Sequence, residues 1–103
     1  MVTPEAKADL RDIYRYIRDR APRAATQWSI DARARIKTLS RFPERCAIAP
    51  ESIHFNEPIR QMLIGSGNRG TYRVLFVIVK KSVRVVHVRH GSMLPLGGGE
   101  EDT

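Results

Sequence analysis

Arginine and histidine are the residues best placed to do chemistry in this 103-residue chain, and they sit in two stretches, Tyr72-Arg73-Val74-Leu75-Phe76 and Val86-His87-Val88-Arg89-His90-Gly91. A guanidinium is a permanent, forked cation that fits phosphate or carboxylate oxygens. An imidazole gives or takes a proton near neutral pH. Held over a phosphodiester, the two types could stabilise charge and move protons. Each also has a plainer reading. Arg73 opens an apolar run and can pair at its rim with Glu51 or Glu57. His87, between Val86 and Val88, suits a sheet histidine. His90, next to Gly91, marks an exposed strand end. Side chains alternate along a strand, so Arg84, Val86, Val88 and His90 are expected on one face and His87 and Arg89 on the other. Arg89 and His90 then serve one cleft only if a bulge or the strand end turns one of them.

Several chemistries drop out. Gly65 to Gly70 lacks the Gly-Lys-Ser/Thr ending of a phosphate loop and reads as a flexible turn. Cys46 has no cysteine partner, and no ligand cluster suggests a metal or an organic cofactor. Lys80-Lys81 is most simply a solvated hairpin tip. The formal charge is +7. Its distribution is uneven: residues 1–96 hold all eighteen bases against eight acids, for +10, while residues 97–103 hold three acids alone. A basic body of this kind points to a polyanionic partner, most often nucleic acid. The longest apolar run, Val74 to Val79, is six residues, against roughly 20 for a membrane helix. Glu5, Asp9, Asp12 and Asp19 break any signal-peptide core. A reduced, cytoplasmic setting is expected.

The elements that must carry these residues follow from spacing. Thr3-Pro4-Glu5 is a helix start, with a capping hydroxyl, a proline in the first turn and an acid at the positive end of the dipole. Ala6, Leu10, Ile13 and Ile17 form one apolar stripe. Pro22 divides it from a second stripe of Ala25, Trp28, Ala32, Ile36, Leu39 and Phe42, which predicts a longer antiparallel helix ending at Pro43. Cys46 to Glu57 reads as loop or irregular edge. Ile59 to Ile64 can be a strand, and Tyr72 to Val79 and Val83 to His90 form an antiparallel hairpin. One domain is expected over residues 1–93, α+β in class, with an antiparallel helical hairpin packed on a small, mostly antiparallel sheet whose central strand is Tyr72 to Val79. Residues 94–103, with Gly97-Gly98-Gly99, are expected to be a flexible acidic tail.

The order of these motifs, from Ala6, Asp9, Leu10, Ile13, Tyr16 and Ile17 through Leu39-x-x-Phe42-Pro43 to Tyr72-Arg73-Val74-Leu75-Phe76 and His87 to Gly91, resembles the RelE/ParE family of bacterial toxins. The resemblance covers about residues 3 to 91. It implies the toxin half of a type II toxin–antitoxin pair. Two departures stand out: little precedes Thr3 where the family has a first strand, and Ser92-Met93 follow His-Gly where arginines are common.

The resemblance implies ribosome-dependent mRNA cleavage as the first activity to weigh. Arg73 matches the arginine expected to stabilise the phosphorane, and His90 or Arg89 would supply acid or a further phosphate contact. Arg60, Arg69 and Arg84 would bind nucleic acid. The family's other branch implies a non-enzymatic inhibitor of DNA gyrase, and a third reading is an inactive member. Expected partners are a cognate antitoxin, forming a hetero-oligomer, and either the ribosome with mRNA or gyrase; no membrane and no cofactor are expected.

Overall fold

The computed structural model describes residues 1–65 and 72–91. Arg69 and the expected tail from residue 94 onward lie outside the described residues. Helix α1 spans Pro4–Arg20, and its start is the expected one: the Thr3 hydroxyl accepts from the Ala6 N–H at 3.2 Å. Ala6 and Ile17 are buried, while Leu10 and Ile13 pack half-buried against the same core. Ala21 alone joins α1 to α2, Pro22–Lys37, whose buried residues are Ala25, Trp28 and Ala32. A 3-10 turn over Thr38–Ser40 extends it and buries Leu39.

The stripe stops there. Phe42, expected as its last buried residue, is 81% exposed and adopts φ 46°. A proline disfavours helical geometry in the residue before it, so Pro43 forces the turn at Phe42 and opens a second 3-10 turn, Pro43–Arg45. The segment read as irregular contains the short strand β1, Ala47–Ile48, and a third 3-10 turn, Pro50–His54.

Strands β2 (Arg60–Ile64), β3 (Tyr72–Val79) and β4 (Ser82–His90) complete an antiparallel sheet in the order β1-β2-β3-β4. β3 is interior, as expected. Lys80-Lys81 makes the tight hairpin turn, with Lys80 at φ 59°.

Two features escape the alternation rule. Met1–Thr3 lie parallel to β4: the Met1 ammonium donates to Val83 O at 2.8 Å, Val85 N–H to Met1 O at 2.8 Å, and Thr3 N–H to Val85 O at 3.0 Å. Three residues thus cover the edge that the sequence seemed to leave open. Within β4 the register shifts, with Leu75 opposite His87 and Phe76 opposite Val85, so Val86 is the extra residue of a β-bulge. The expected grouping of Arg84 with Val86, Val88 and His90 is therefore corrected. Val83, Val85, Val88 and His90 oppose Ile78, Phe76, Val74 and Tyr72, whereas Arg84, His87 and Arg89 oppose Val77, Leu75 and Arg73.

The sheet is covered on both faces. Val74, Phe76, Val85 and Val88 pack with the helical residues Ala6, Ile17, Trp28 and Leu39. On the other face, Leu75 and Val77 pack with Ala49 and Ile59 from the segment between α2 and β2. Burying side chains of this size is worth about 1.5–3 kcal/mol each, and it fixes β3 as the platform from which Arg73 projects.

Candidate functional site

Arg73 does not stand open on the sheet. Its register partners are Leu63 on β2 and Arg89 on β4, and the turn at Pro50–His54 places Glu51 over it. The guanidinium donates to both Glu51 carboxylate oxygens, at 2.9 and 2.6 Å, and to Gln61 Oε1 at 3.0 Å. The side chains are 8% and 0% exposed for Arg73 and Glu51. A forked cation matched to a forked anion, with amide support, satisfies the charge of each inside the fold. This is the pairing with Glu51 that the sequence allowed, though buried rather than at a rim.

The other residues singled out in the sequence separate into different places. Arg89 lies across from Arg73 on the same face. His90 lies on the opposite face, where its ring packs edge-on against Tyr72 with centroids 4.9 Å apart. Arg60 opposes Phe76 and donates to the carbonyls of Glu44 and Cys46 at 3.2 and 2.7 Å, holding the 3-10 turn of Pro43–Arg45 against β2. Arg84 is exposed and opposes Val77, toward the hairpin turn. Thus the structure brings Arg73 and Arg89 together and sets Arg60 and His90 on the other face.

His87 contributes a contact that the alternation pattern did not show. Asp9 of α1 accepts the Val88 backbone N–H at 2.9 Å and lies 3.0 Å from His87 Nδ1. One carboxylate therefore ties the first helix to the last strand. The phenol of Tyr72, buried beside Trp28 at a ring separation of 5.3 Å, has its pKa raised, chiefly by burial and secondarily by Tyr16.

Cations dominate the remaining surface. The groove between α1 and α2 is rimmed by Lys7 and Arg11 from one helix and Arg33 and Lys37 from the other. Among the described residues, no cluster of His, Cys, Asp and Glu is placed to hold a metal ion, and no helix is long and apolar enough to cross a membrane.

A helical hairpin laid on an antiparallel sheet, with β3 inside, is the α+β architecture expected of RelE/ParE toxins. A family model described as the ParE toxin of the type II toxin-antitoxin system, parDE, matches residues 1–95, and the chain belongs to that family. No curated protein matches it. Among solved structures it is similar to a chain of the chromosomal ParDE TA system from P. aeruginosa, at 21% identity and a TM-score of 0.65, over 86% of this chain and 90% of that one. That likeness is one of fold.

Proposed function

We propose that this toxin acts as a non-enzymatic inhibitor of DNA gyrase, held in check by a cognate antitoxin. The observation that carries the reading is the Glu51–Arg73 pair. RNA cleavage by 2′-oxygen attack needs a cation free to meet the developing charge on phosphorus. Here the arginine matched to that role gives two N–H donors to Glu51 and one bond to Gln61, inside the protein. The candidate acid His90 is on the other face of the sheet. A stiff, basic body is then a docking module, and membership of the ParE family supports gyrase over the ribosome as its target.

The antitoxin follows from charge. A surface with +10 over residues 1–96 suits an acidic, partly disordered segment that orders as it wraps the toxin, occluding the surface used against the target. Inducing the chain in bacterial cells tests the target. Early arrest of DNA replication, with filamentation and DNA-damage signalling, is the expected outcome. An early translation block with cut transcripts would reinstate the nuclease, and normal growth would identify an inactive member.

A further inference from the structure

The β3–β4 hairpin reverses in two residues: Val79 pairs with Ser82, so Lys80 and Lys81 are the central positions of the turn. Lys80, at φ 59°, is the one in left-handed geometry. A two-residue turn with positive φ at its first central position takes glycine most readily, because a Cβ is crowded there. Both lysines are exposed, so burial recovers none of that cost. Neither joins an ion pair among the described residues. Backbone strain held beneath two exposed ammonium groups points to a use for their charge.

The turn does not act alone. Lys37 at the end of α2 and Arg84 of β4 line one concavity of about 1090 Å³ with Lys80 and Lys81. They too are exposed and outside the ion pairs of the described residues. No Asp or Glu is among the described residues that line it, so the four charges add rather than cancel. The same lining holds no aromatic ring, and of the large apolar residues exposed on the described surface only Met1 belongs to it. A protein partner would call for an apolar or aromatic anchor, and a single strand of nucleic acid for rings on which its bases stack. Cations without either fit the outside of a duplex, where closely spaced phosphates are met and no base is read.

We propose that the Lys80-Lys81 tip, with Lys37 and Arg84, is a sequence-independent binding surface for the phosphate backbone of duplex DNA. The four cations sit on three elements that the core holds together, so they meet the backbone as one preformed patch. The choice of DNA as the duplex rests on the gyrase reading, since gyrase carries a DNA segment that such a patch would grip beside the enzyme. The patch itself does not depend on that reading. Binding measured on DNA alone, with no gyrase present, separates a failure of the patch from a failure of the target.

Fluorescence anisotropy with the full chain and two short labelled DNA duplexes of unrelated sequence tests it, with salt varied between about 50 and 200 mM. Wild type should bind both duplexes alike, and four phosphate contacts should give a slope of about −3.6 for the logarithm of the binding constant against that of salt. A variant carrying Lys80→Gly and Lys81→Gln should lose about 1.8 of that slope and bind roughly 60-fold more weakly at 0.1 M salt. Glycine suits the turn, so this variant should melt no lower than wild type. Lys80→Arg with Lys81→Arg, which keeps both charges, should keep the slope. Arg15→Gln with Arg23→Gln removes the same charge from exposed positions outside the concavity and should change the slope little. An equal loss in that control would make the binding a property of the net charge and overturn the proposal. Tighter binding of polyuridylate or of polyglutamate than of duplex DNA, through the same two lysines, would overturn it in favour of a single strand or an acidic protein.

Discussion

Arg73 and Glu51, 22 residues apart in the chain, meet in a forked pair with two N–H···O bonds of 2.9 and 2.6 Å beneath the Pro50–His54 turn. The pair is a clamp between the sheet and the segment that covers it.

Breaking one side of that clamp should be costly. Arg73→Ala or Glu51→Ala leaves a buried charge without its partner, a loss of about 3–5 kcal/mol. Replacing both together, Arg73→Met with Glu51→Leu, should recover most of that loss, because an apolar pair of similar volume needs no desolvation. Urea denaturation of the three variants checks the stability cycle. Growth arrest by the folded double variant would confirm that the guanidinium is not needed for toxicity.

The Asp9 bridge gives a second test. Asp9→Ala removes the acceptor of the Val88 N–H and the neighbour of His87, so stability should fall by about 1–3 kcal/mol. Hydrogen exchange at the Val88 amide should speed up more than that at Val74, which is interior to the sheet.

Phe42 invites the opposite change. A non-glycine residue in left-handed geometry costs about 1–2 kcal/mol, and Phe42 at φ 46° and 81% exposure recovers little of that through burial. Phe42→Asn, a residue that tolerates this region, should raise the melting temperature by a few degrees, since about 1 kcal/mol moves a domain of this size by roughly 4–8 °C. If the melt is higher and toxicity is lost, the exposed ring belongs to the target interface.

Alkaline stability should depend on Tyr72. Its folded pKa is raised above the ordinary 10.0, so at high pH the unfolded chain loses the phenolic proton first and the native chain retains it. The contribution is fully present below the ordinary pKa and is lost as pH rises through the folded value. Tyr72→Phe should flatten this alkaline decline in a series of melts between pH 8 and pH 11.

Much of this architecture was legible from spacing. Thr3-Pro4-Glu5 marked α1, Pro22 divided the helices, and the unbroken run Val74 to Val79 marked an interior strand, because each rests on local rules of capping or periodicity. What was hidden depends on contacts between distant segments. The bulge at Val86 is invisible in a β-branched run that would fit either register, and it puts Val83 and Val85, in place of Arg84 and Val86, on the face of Val88 and His90. Met1–Thr3 is too short for a periodic signal, and its strand-like role exists only because β4 offers an edge. Phe42 fitted the helical stripe by spacing, but the constraint from Pro43 prevailed. Glu51 was legible as one of two acids that could meet Arg73; its complete burial follows from the way residues 47–59 fold over the sheet.

Inhibition of gyrase without RNA cleavage can be measured with purified toxin in two parallel assays, DNA supercoiling by gyrase and translation of a defined mRNA by a reconstituted ribosome system, each with the wild type and the folded Arg73→Met, Glu51→Leu double variant. For a gyrase inhibitor that does not cut RNA, both proteins inhibit supercoiling in proportion to their concentration and leave the mRNA intact. Cleavage of the mRNA on ribosomes by the wild type but not the double variant, with gyrase unaffected, would instead make the protein a nuclease that uses Arg73.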